Sequence, residues 1–243
     1  LPLGFAGIMA VSGIEHSSHP DGLRVGRLTS MTQPYAAGHR NKRSIGIDLS
    51  DPEGRELAHR LARTCDVVLT NFKPGVAEAL GMDHTTLHEI NPGLVVVDSS
   101  AFGPTGPWAK RLGYGPLVRA AAGFTNLWVY PGEPETFCDT VTVYPDHVSA
   151  RIGALCAIAL LLRRERTGTG GAASISQAEV MLSHLAADIA ADALHRAGHA
   201  RTQPGRRGPW GLFPARGDDE WIAVTVRDDS DLRALREVIG FTG

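Results

Sequence analysis

One carboxylate stands where it could act as a nucleophile. Asp146 follows Pro145 and precedes a long apolar run that includes Ile152–Leu162. Proline and aspartate in this order are typical of the first turn of a helix, where aspartate oxygens can accept hydrogen bonds from free backbone N–H groups. One interpretation is therefore a helix cap. The other is a nucleophile kept ionised by the positive end of the helix dipole, and these residues alone leave both open.

A basic cluster could bind an anionic small molecule. It comprises Arg40, Lys42 and Arg43, and a second basic pair follows at Arg206-Arg207. Clustered cations attract phosphate groups, but the same pattern is also typical of a solvated surface, and both interpretations stay open. The 24 basic and 26 acidic residues give a formal charge of -2. This balance does not indicate a nucleic acid or an anionic membrane as partner.

Several other kinds of chemistry lack their sequence signatures. The chain has no Gly-x-Gly-x-x-Gly after a predicted strand, no Walker loop and no Gly-x-Ser-x-Gly elbow. Its ten histidines are scattered without metal-ligand spacing, so no metal is expected. Cys65, Cys138 and Cys156 are widely spaced, and the first and last lie in apolar helical patterns, which predicts reduced core thiols and a cytosolic protein.

The elements that would position these candidates alternate between strand and helix. Leu57 and Leu61, with the flanking Ala58 and Ala62, are expected to form the apolar face of the first helix. The predicted order is a strand at Ser44–Leu49, a helix opened by Ser50-Asp51-Pro52-Glu53, a strand at Asp66–Thr70, short helices before Gly81 and at Thr85–Ile90, and a strand at Leu94–Asp98. This alternation predicts a parallel sheet, whose ligands bind beyond the carboxyl ends of the strands. Asn71-Phe72-Lys73 and Ser99–Gly103 occupy that position.

The second half predicts further helices, a strand and a hairpin. The predicted elements are a helical segment at Leu117–Gly123, a helix from Asp146 to about Arg166, a strand at Ala172–Ile175, one long helix from Gln177 to about Ala197, a linker over 198–209, a hairpin around Arg216–Glu220 and a helix at Asp229–Ile239. We therefore expect a core domain over residues 1–200 and the start of a smaller α+β domain over 201–243. The apolar run Ile152–Leu162 is shorter than the roughly 20 residues needed to cross a bilayer, so no membrane span is expected.

An ordered series of short motifs resembles a known family. The series is Asn41-Lys42-Arg43-Ser44, Ile47-Asp48-Leu49, Asp66-Val67-Val68, Asn71-Phe72-Lys73-Pro74-Gly75, Leu80-Gly81, Asn91-Pro92, Phe102-Gly103, Gly106-Pro107, Asp146, Arg164-Glu165-Arg166-Thr167-Gly168 and Ser176-Gln177-Ala178-Glu179. Each motif is weak alone, but their order and spacing are similar to those of the class III (CaiB/BaiF-type) CoA-transferases. The match runs from about Arg40 to Ala190. It implies an α/β fold with a Rossmann-like parallel sheet and flanking helices.

The resemblance implies that Asp146 is the catalytic aspartate. In the family, this carboxylate attacks an acyl-CoA, and an aspartyl-CoA thioester then passes CoA to an acceptor carboxylic acid. A carboxylate suits this role because its reference pKa of roughly 3.9 leaves it ionised at neutral pH without a general base. No cofactor is implied, because the CoA thioester is itself a substrate.

The resemblance also implies CoA-binding segments. They are Ile47, Asp48, Leu49 and Ser50 at the nucleotide end, Asn71, Phe72 and Lys73 in a second loop, Leu112, Gly113, Tyr114 and Gly115 in a third segment, and Arg40, Lys42 and Arg43 for the 3′-phosphate. Relatives often carry lysine where Ser50 stands, so one phosphate contact could be missing. Asn71–Lys73 could equally be a simple strand-to-helix loop, since asparagine, proline and glycine favour turns.

The residue at position 114 differs between the transferases and the racemases that this chain resembles. The α-methylacyl-CoA racemases place a histidine followed by aspartate here to move an α-proton, whereas this chain has Tyr114-Gly115. Tyrosine is a poor base at neutral pH but a good hydrogen-bond donor, which favours the transferase over a racemase-type isomerase. A core tyrosine without a catalytic role is the other interpretation.

The chain also departs from the family at both ends. It starts without Met, Leu1–Ser12 does not match the family's first strand and helix, and the chain stops soon after the hairpin. These features predict a truncated chain, or one unit of a longer fused protein. Relatives form interlocked homodimers, which is the expected assembly at full length. A CoA-binding fragment without catalytic activity is the remaining alternative.

Overall fold

The computed structural model describes residues 12–15, 24, 31–129, 133, 135–136, 143–199 and 209–241. Two compact units can be distinguished, Leu1–Ala186 and Ala187–Gly243. Cys138, the pair Arg206-Arg207 and most of the predicted linker lie outside the described residues, as does nearly all of Leu1–Ser12.

A three-stranded parallel sheet forms the centre of the first unit. Its order is β3 (Val67–Thr70), β4 (Val95–Ser100) and β5 (Gly171–Ser176). Val67 pairs with Val95, and Val95 pairs with Gly171. The valines of β4 are buried on both faces of the sheet, which is typical of a parallel strand covered by helices. The predicted α/β fold with a parallel sheet and flanking helices is therefore confirmed.

Helices cover both faces of this sheet. On one face, α2 (Pro52–Ala62) and α4 (His84–Ile90) pack with Leu94 and Val96 of the β4 segment. The short helix α3 (Val76–Ala79) lies between α2 and α4 in the chain. On the other face, α6 (Tyr144–Thr167) packs against Val95 and Val97 of β4 and Ile175 of β5. Because consecutive residues of a strand point to opposite faces, one short apolar strand supplies both cores.

The side of α6 that faces the sheet consists of small residues. Its buried residues are Pro145, Ser149, Gly153 and Ala157, spaced four apart on one face of the helix. Within the described part of the chain, α6 is the one helix long and apolar enough to cross a membrane by length and composition. The predicted apolar run is thus part of a 24-residue helix. That helix contacts β4 and β5 through its small residues.

A second, two-stranded parallel sheet holds β1 (Ser12–Glu15) and β2 (Arg43–Gly46). The helix α1 (Gln33–Gly38) lies between them in the chain. The predicted strand Ser44–Leu49 ends earlier, because Asp48 turns the chain by accepting a hydrogen bond from the backbone N–H of Ser50 at 2.8 Å.

The helix after this turn begins as predicted, but one of the two leucines predicted on its apolar face is exposed. The Asp51 side chain caps α2 by accepting from the backbone N–H groups of Glu53 and Gly54. Its buried residues are Gly54, Ala58 and Ala62, whereas Leu57 is 48% exposed. Ala58 and Ala62 are thus buried as predicted, whereas the prediction that Leu57 faces the core is wrong. The backbone of Asp48 lies so close to Gly54 that a Cβ there would meet the Asp48 carbonyl oxygen at 1.9 Å.

The C-terminal elements confirm the predicted hairpin and final helix and correct one predicted helix. The strands β6 (Trp210–Pro214) and β7 (Trp221–Thr225) pair antiparallel, and α9 (Asp229–Val238) follows. The predicted single helix from Gln177 to Ala197 is two helices, α7 (Gln177–His184) and α8 (Ala186–Arg196), separated at Leu185. No glycine or proline occurs between residues 177 and 197, so the break had no local sequence signal.

Candidate functional site

The carboxyl ends of the three central strands meet at one edge of the sheet. Asn71 follows β3, Ala101 follows β4, and Gln177 follows β5. The backbone N–H of Ala178 donates to the carbonyl oxygen of Ala101 at 3.0 Å, which ties the start of α7 to the end of β4. This is the edge at which parallel sheets bind their ligands, as predicted for these loops.

Asp146 lies at this edge and contacts the start of α7. It is the third residue of α6, in the first turn, as the sequence predicted. Its Oδ1 accepts a hydrogen bond from Nε2 of Gln177 at 3.1 Å. Its Oδ2 is buried and has no hydrogen-bond partner among the described residues. The residue before the helix is Val143, and no side chain caps this end. The carboxylate thus binds an amide from another helix and does not cap α6.

Gly115 encloses the second oxygen of Asp146. It is the first residue of α5 (Gly115–Ala121) and is buried. A Cβ at this position would lie 2.2 Å from Oδ2 of Asp146 and 3.0 Å from Cα of Val143. Real Cβ atoms do not approach other atoms that closely, so this backbone position requires glycine. Gly115 was predicted only as part of a CoA-binding segment, and in the structure it lies against the carboxylate of Asp146.

The residues before Gly115 line the approach to this edge. Tyr114 is 79% exposed, so the interpretation of a core tyrosine is wrong. Leu112 is also exposed. Gly113 packs closely, since a Cβ there would lie 2.6 Å from Cβ of Ala101 and 3.2 Å from the Phe102 ring. This second required glycine fixes the segment against the loop that follows β4.

An aromatic cluster holds the start of α6 in place. The Tyr144 ring stacks on Phe124 with centroids 5.3 Å apart and meets Trp128 edge-on at 5.8 Å. The guanidinium of Arg119 lies over the Trp128 ring at 4.8 Å. Such contacts contribute about 0.5–1.5 kcal/mol each beyond the area that they bury. They fix the backbone two residues before Asp146.

A cleft of about 370 Å³ opens beside the Tyr114 segment. The Phe102 and Trp108 rings meet edge-on at 5.4 Å, and Arg111 lies over Trp108 at 5.8 Å. No ion pair of Arg111 is found among the described residues. The lining residues are Phe102, Trp108, Arg111, Leu112, Leu117 and Ala121. An apolar cleft with one cation at its rim can hold an apolar chain that carries an anionic group.

The segment predicted for the nucleotide end of CoA does not contact Asp146 in the described residues. Ile47 is buried, and Leu49 packs against the core under α2 and α4. Asp48 and Ser50 are exposed and hydrogen-bonded to each other. Ile47 and Leu49 therefore pack within the fold here, and the backbone N–H of Ile47 donates to the carbonyl oxygen of Glu15 at 3.0 Å.

The other predicted CoA-binding residues are mostly on the surface. Arg40, Lys42 and Arg43 are exposed, and Nζ of Lys42 donates to the carbonyl oxygen of Gly38 at 2.8 Å. In the loop after β3, Asn71 and Lys73 are exposed, and Phe72 is half-buried. The loop after β3 lies at the same edge of the sheet as Asp146, because β3 and β5 belong to one parallel sheet. Among the described residues, no contact joins Arg40, Lys42 or Arg43 to that edge.

Sequence reasoning missed several polar groups near the sheet. It gave Gln177 no role, although the motif Ser176-Gln177-Ala178-Glu179 was recognised. Ser149, one turn after Asp146, is fully buried with no partner for its hydroxyl among the described residues. The one sign of Ser149 in the sequence was that a polar residue stands within an apolar helical pattern.

A second carboxylate was also missed. Asp98 is on β4, beside a cavity of about 340 Å³ on the face opposite α6. Burial raises the pKa of the Asp98 carboxyl, and a hydrogen bond from Ser174 partly offsets the effect. Its Oδ1 has no hydrogen-bond partner in the part of the chain that is described.

Among the described residues, the cysteines and the possible metal ligands do not form a cluster that could bind a metal ion. Cys65 and Cys156 are half-buried free thiols, and Cys65 lies in the loop after α2. Burial raises the pKa of the Cys65 thiol, which lowers its reactivity. No group of three or more His, Cys, Asp or Glu residues that could hold a metal ion occurs within the described ranges.

Comparisons with known proteins agree with the resemblance in the sequence. The model of CoA-transferase family III matches residues 10–243. The chain is 42% identical over 233 residues to the probable CoA-transferase Rv1866 of Mycobacterium tuberculosis, covering 93% of this chain and 29% of that protein. It is 33% identical over 205 residues to the succinyl-CoA–D-citramalate CoA-transferase of Chloroflexus aurantiacus, covering 83% of this chain and 50% of that enzyme.

Solved structures show the same fold. The crystal structure of Rv3272 from M. tuberculosis matches with a TM-score of 0.72 and 26% identity, covering 95% of this chain and 60% of that one. A CAIB/BAIF family protein from Brucella suis matches with a TM-score of 0.71 and 26% identity, covering 95% and 62%. The chain thus spans from about a third to about three fifths of the length of these relatives.

Proposed function

Since the chain belongs to CoA-transferase family III, we propose that it transfers CoA between an acyl-CoA and a carboxylic acid, with Asp146 as the nucleophile. The observation that carries this proposal is the placement of Asp146. Its carboxylate lies in the first turn of a 24-residue helix, at the ligand-binding edge of a parallel sheet, and is held by Gln177.

The reaction would proceed through three acyl derivatives of Asp146, which are two anhydrides and one thioester. The carboxylate attacks the thioester carbonyl carbon, the C–S bond breaks, and a mixed anhydride and CoA thiolate form. The thiolate then attacks the aspartyl carbonyl, which releases the donor acid and leaves an aspartyl-CoA thioester. An acceptor carboxylate attacks that thioester to give a second anhydride. The returning thiolate attacks the acceptor's acyl carbon, forms the new acyl-CoA and restores Asp146.

The residues around Asp146 would orient these steps. The exposed Tyr114 hydroxyl can donate a hydrogen bond to a substrate oxygen. No cofactor is required, because every step is an acyl transfer between a carboxylate and a thiolate and no oxidation or reduction occurs.

The CoA itself would bind along the sheet edge. We assign its pantetheine arm to Asn71–Lys73 and Leu112–Gly115, and its nucleotide end to Ile47–Ser50. Arg40, Lys42 and Arg43 would attract the 3′-phosphate. Titration with CoA and with dephospho-CoA tests this last assignment. Replacing all three basic residues with alanine should weaken binding of CoA severalfold and leave binding of dephospho-CoA unchanged. If the variant binds CoA and dephospho-CoA equally more weakly, these basic residues do not contact the 3′-phosphate.

Dicarboxylic acids are the substrate class that we favour. Relatives are named succinyl-CoA–L-malate, succinate–glutarate and acetyl-CoA:oxalate CoA-transferases. The apolar cleft beside Tyr114, with Arg111 at its rim, suits a short chain that ends in a carboxylate. The expected setting is the cytoplasm, without a nucleic acid or membrane partner.

The assembly is expected to be a homodimer, interlocked at full length. Two relatives are named as alpha and beta subunits of one transferase, so a second, different chain is the alternative partner. Mass measurement of the purified assembly in solution distinguishes one repeated chain from two different ones.

Intact mass spectrometry tests the proposed nucleophile. The purified chain is incubated with succinyl-CoA, oxalyl-CoA or a medium-chain acyl-CoA and quenched with hydroxylamine or borohydride. We expect modification at Asp146 with at least one donor, and none in Asp146→Ala. A folded chain that binds CoA but gives no modification would contradict the proposal and indicate a non-catalytic CoA-binding fragment. Deuterium exchange at the α-carbon of the acyl-CoA, without CoA transfer, would instead indicate a racemase-type isomerase.

A further inference from the structure

We propose that Gln177 is a positioning residue that sets the orientation of the Asp146 carboxylate for attack. The inference rests on the proposed function and extends it to a residue outside the motif positions assigned to the site. Gln177 is only 7% exposed, and its Nε2 donates to Oδ1 of Asp146 at 3.1 Å. These two residues lie 31 positions apart in the chain and on different helices.

The position of Gln177 is itself fixed on both sides. It is the first residue of α7, directly after β5, and the preceding Ser176 caps α7 by accepting from the backbone N–H of Glu179. The next residue, Ala178, donates its backbone N–H to Ala101 at the end of β4. The amide of Gln177 is therefore attached to the end of the sheet and not to α6, the helix that holds Asp146.

Two contacts then restrict rotation of the carboxylate. Gln177 holds Oδ1, and the backbone of Gly115 lies against Oδ2 with no room for a Cβ. An aspartate carboxylate otherwise turns broadly about its last side-chain bond. Fixing it in one orientation avoids an entropic cost when the thioester approaches.

The choice of an amide also has a chemical consequence. A guanidinium or ammonium partner would stabilise the negative charge of Asp146 strongly and so weaken its nucleophilicity. The neutral amide of Gln177 orients the carboxylate with much less stabilisation of that charge. Gln177 acts through Asp146 and needs no contact with the substrate.

Three variants of the purified chain test this role. Gln177→Met keeps the length of the side chain and removes the donor. Gln177→Glu keeps the shape and replaces the donor with an acid. Ser183→Ala is the matched control, because Ser183 is an exposed residue of the same helix and its hydroxyl donates within that helix, to the carbonyl oxygen of Val180 at 2.7 Å. The readout is the single-turnover rate of Asp146 modification by acyl-CoA between pH 5 and 8, with thermal melting to verify the fold.

We expect Gln177→Met to slow the modification about tenfold to a hundredfold with an unchanged KM for acyl-CoA, because the donor orients the nucleophile and does not bind CoA. Gln177→Glu should be slow at pH 8 and recover as the pH falls. Two adjacent carboxylates come to share one proton at lower pH, and the protonated Glu can then donate as Gln177 does. Ser183→Ala should react at the wild-type rate, because its hydroxyl contacts neither Gln177 nor Asp146.

Two results would overturn the proposal, and they are distinguishable. If the wild-type chain gives no modification at Asp146, the proposed nucleophile is wrong and this role is wrong with it. If the wild type reacts but Gln177→Met reacts equally fast, or the rate of Gln177→Glu relative to wild type is the same at every pH, the positioning role alone is wrong.

Discussion

Asp146 and Asp98 are carboxylates of the same unit, and each has one buried oxygen without a partner among the described residues. Their surroundings differ. Asp146 starts a long helix and receives a buried amide from a neighbouring helix. Asp98 lies within a strand, where burial raises the pKa of its carboxyl. Burial of a carboxylate is therefore not enough to make a nucleophile. The helix end and the amide donor distinguish the surroundings of Asp146, the proposed nucleophile, whereas the surroundings of Asp98 favour its neutral form.

The sharpest test of this comparison replaces each carboxylate with its amide. Asp146→Asn should lower the rate of CoA transfer at least about a thousandfold, because the nucleophile is lost. Asp98→Asn should leave the rate within about twofold, because that side chain is on the opposite face of the sheet. Steady-state assays of both variants check this. A large loss of activity in Asp98→Asn would contradict the assignment of separate roles.

A smaller effect is expected from the backbone beside Asp146. Gly115→Ala places a methyl group 2.2 Å from Oδ2, so the carboxylate or α5 must shift. We expect a rate loss of about a hundredfold and a destabilisation of about 1–3 kcal/mol. Gly38→Ala is the control, since a Cβ at Gly38 meets nothing within 4 Å. Activity and urea denaturation measure the two effects, and wild-type activity in Gly115→Ala would show that the close contact does not constrain the carboxylate.

The smallest expected effect concerns stability at Asp98. Its pKa in the folded chain is raised above the ordinary value of 3.8, so the fold binds its proton more tightly than the unfolded chain does. The stabilising contribution of this group is therefore complete below pH 3.8 and is lost as the pH rises through the folded pKa. Asp98→Asn, which is neutral at every pH, should raise the melting temperature at pH 7 by a few degrees at most.

Melting curves of the wild type and Asp98→Asn across pH check the sign. The advantage of the variant should shrink on acidification and vanish below the ordinary pKa, where Asp98 is protonated in both states. An advantage that is constant with pH would mean that packing, and not charge, is responsible.

Much of the fold followed from residues that are neighbours in the chain. The valines of β4 predicted a strand buried on both faces, and Pro145-Asp146 predicted the start of α6. The turn residues between β6 and β7 predicted the hairpin. Such signals are local because the backbone conformation of a residue depends mainly on its own side chain and those beside it.

The motif series in the sequence also indicated the family and its nucleophile. It could not give the contacts of that nucleophile. Gln177 carried no signal of its role, because a buried glutamine is recognised only when its partner is known. Gly115 was expected near the site, but its closeness to Oδ2 became evident only from the packing of α5 against α6.

Other features were decided by packing across the chain. Gly54 is buried where the backbone of Asp48 leaves no room for a Cβ, whereas Leu57 of the same helix is exposed. The separation at Leu185 has no local cause. The sequence by itself determined the alternation of elements, the family and the position of the proposed nucleophile. Only the tertiary structure decided which distant groups surround that nucleophile, since contacts between residues far apart in the chain depend on how whole helices pack.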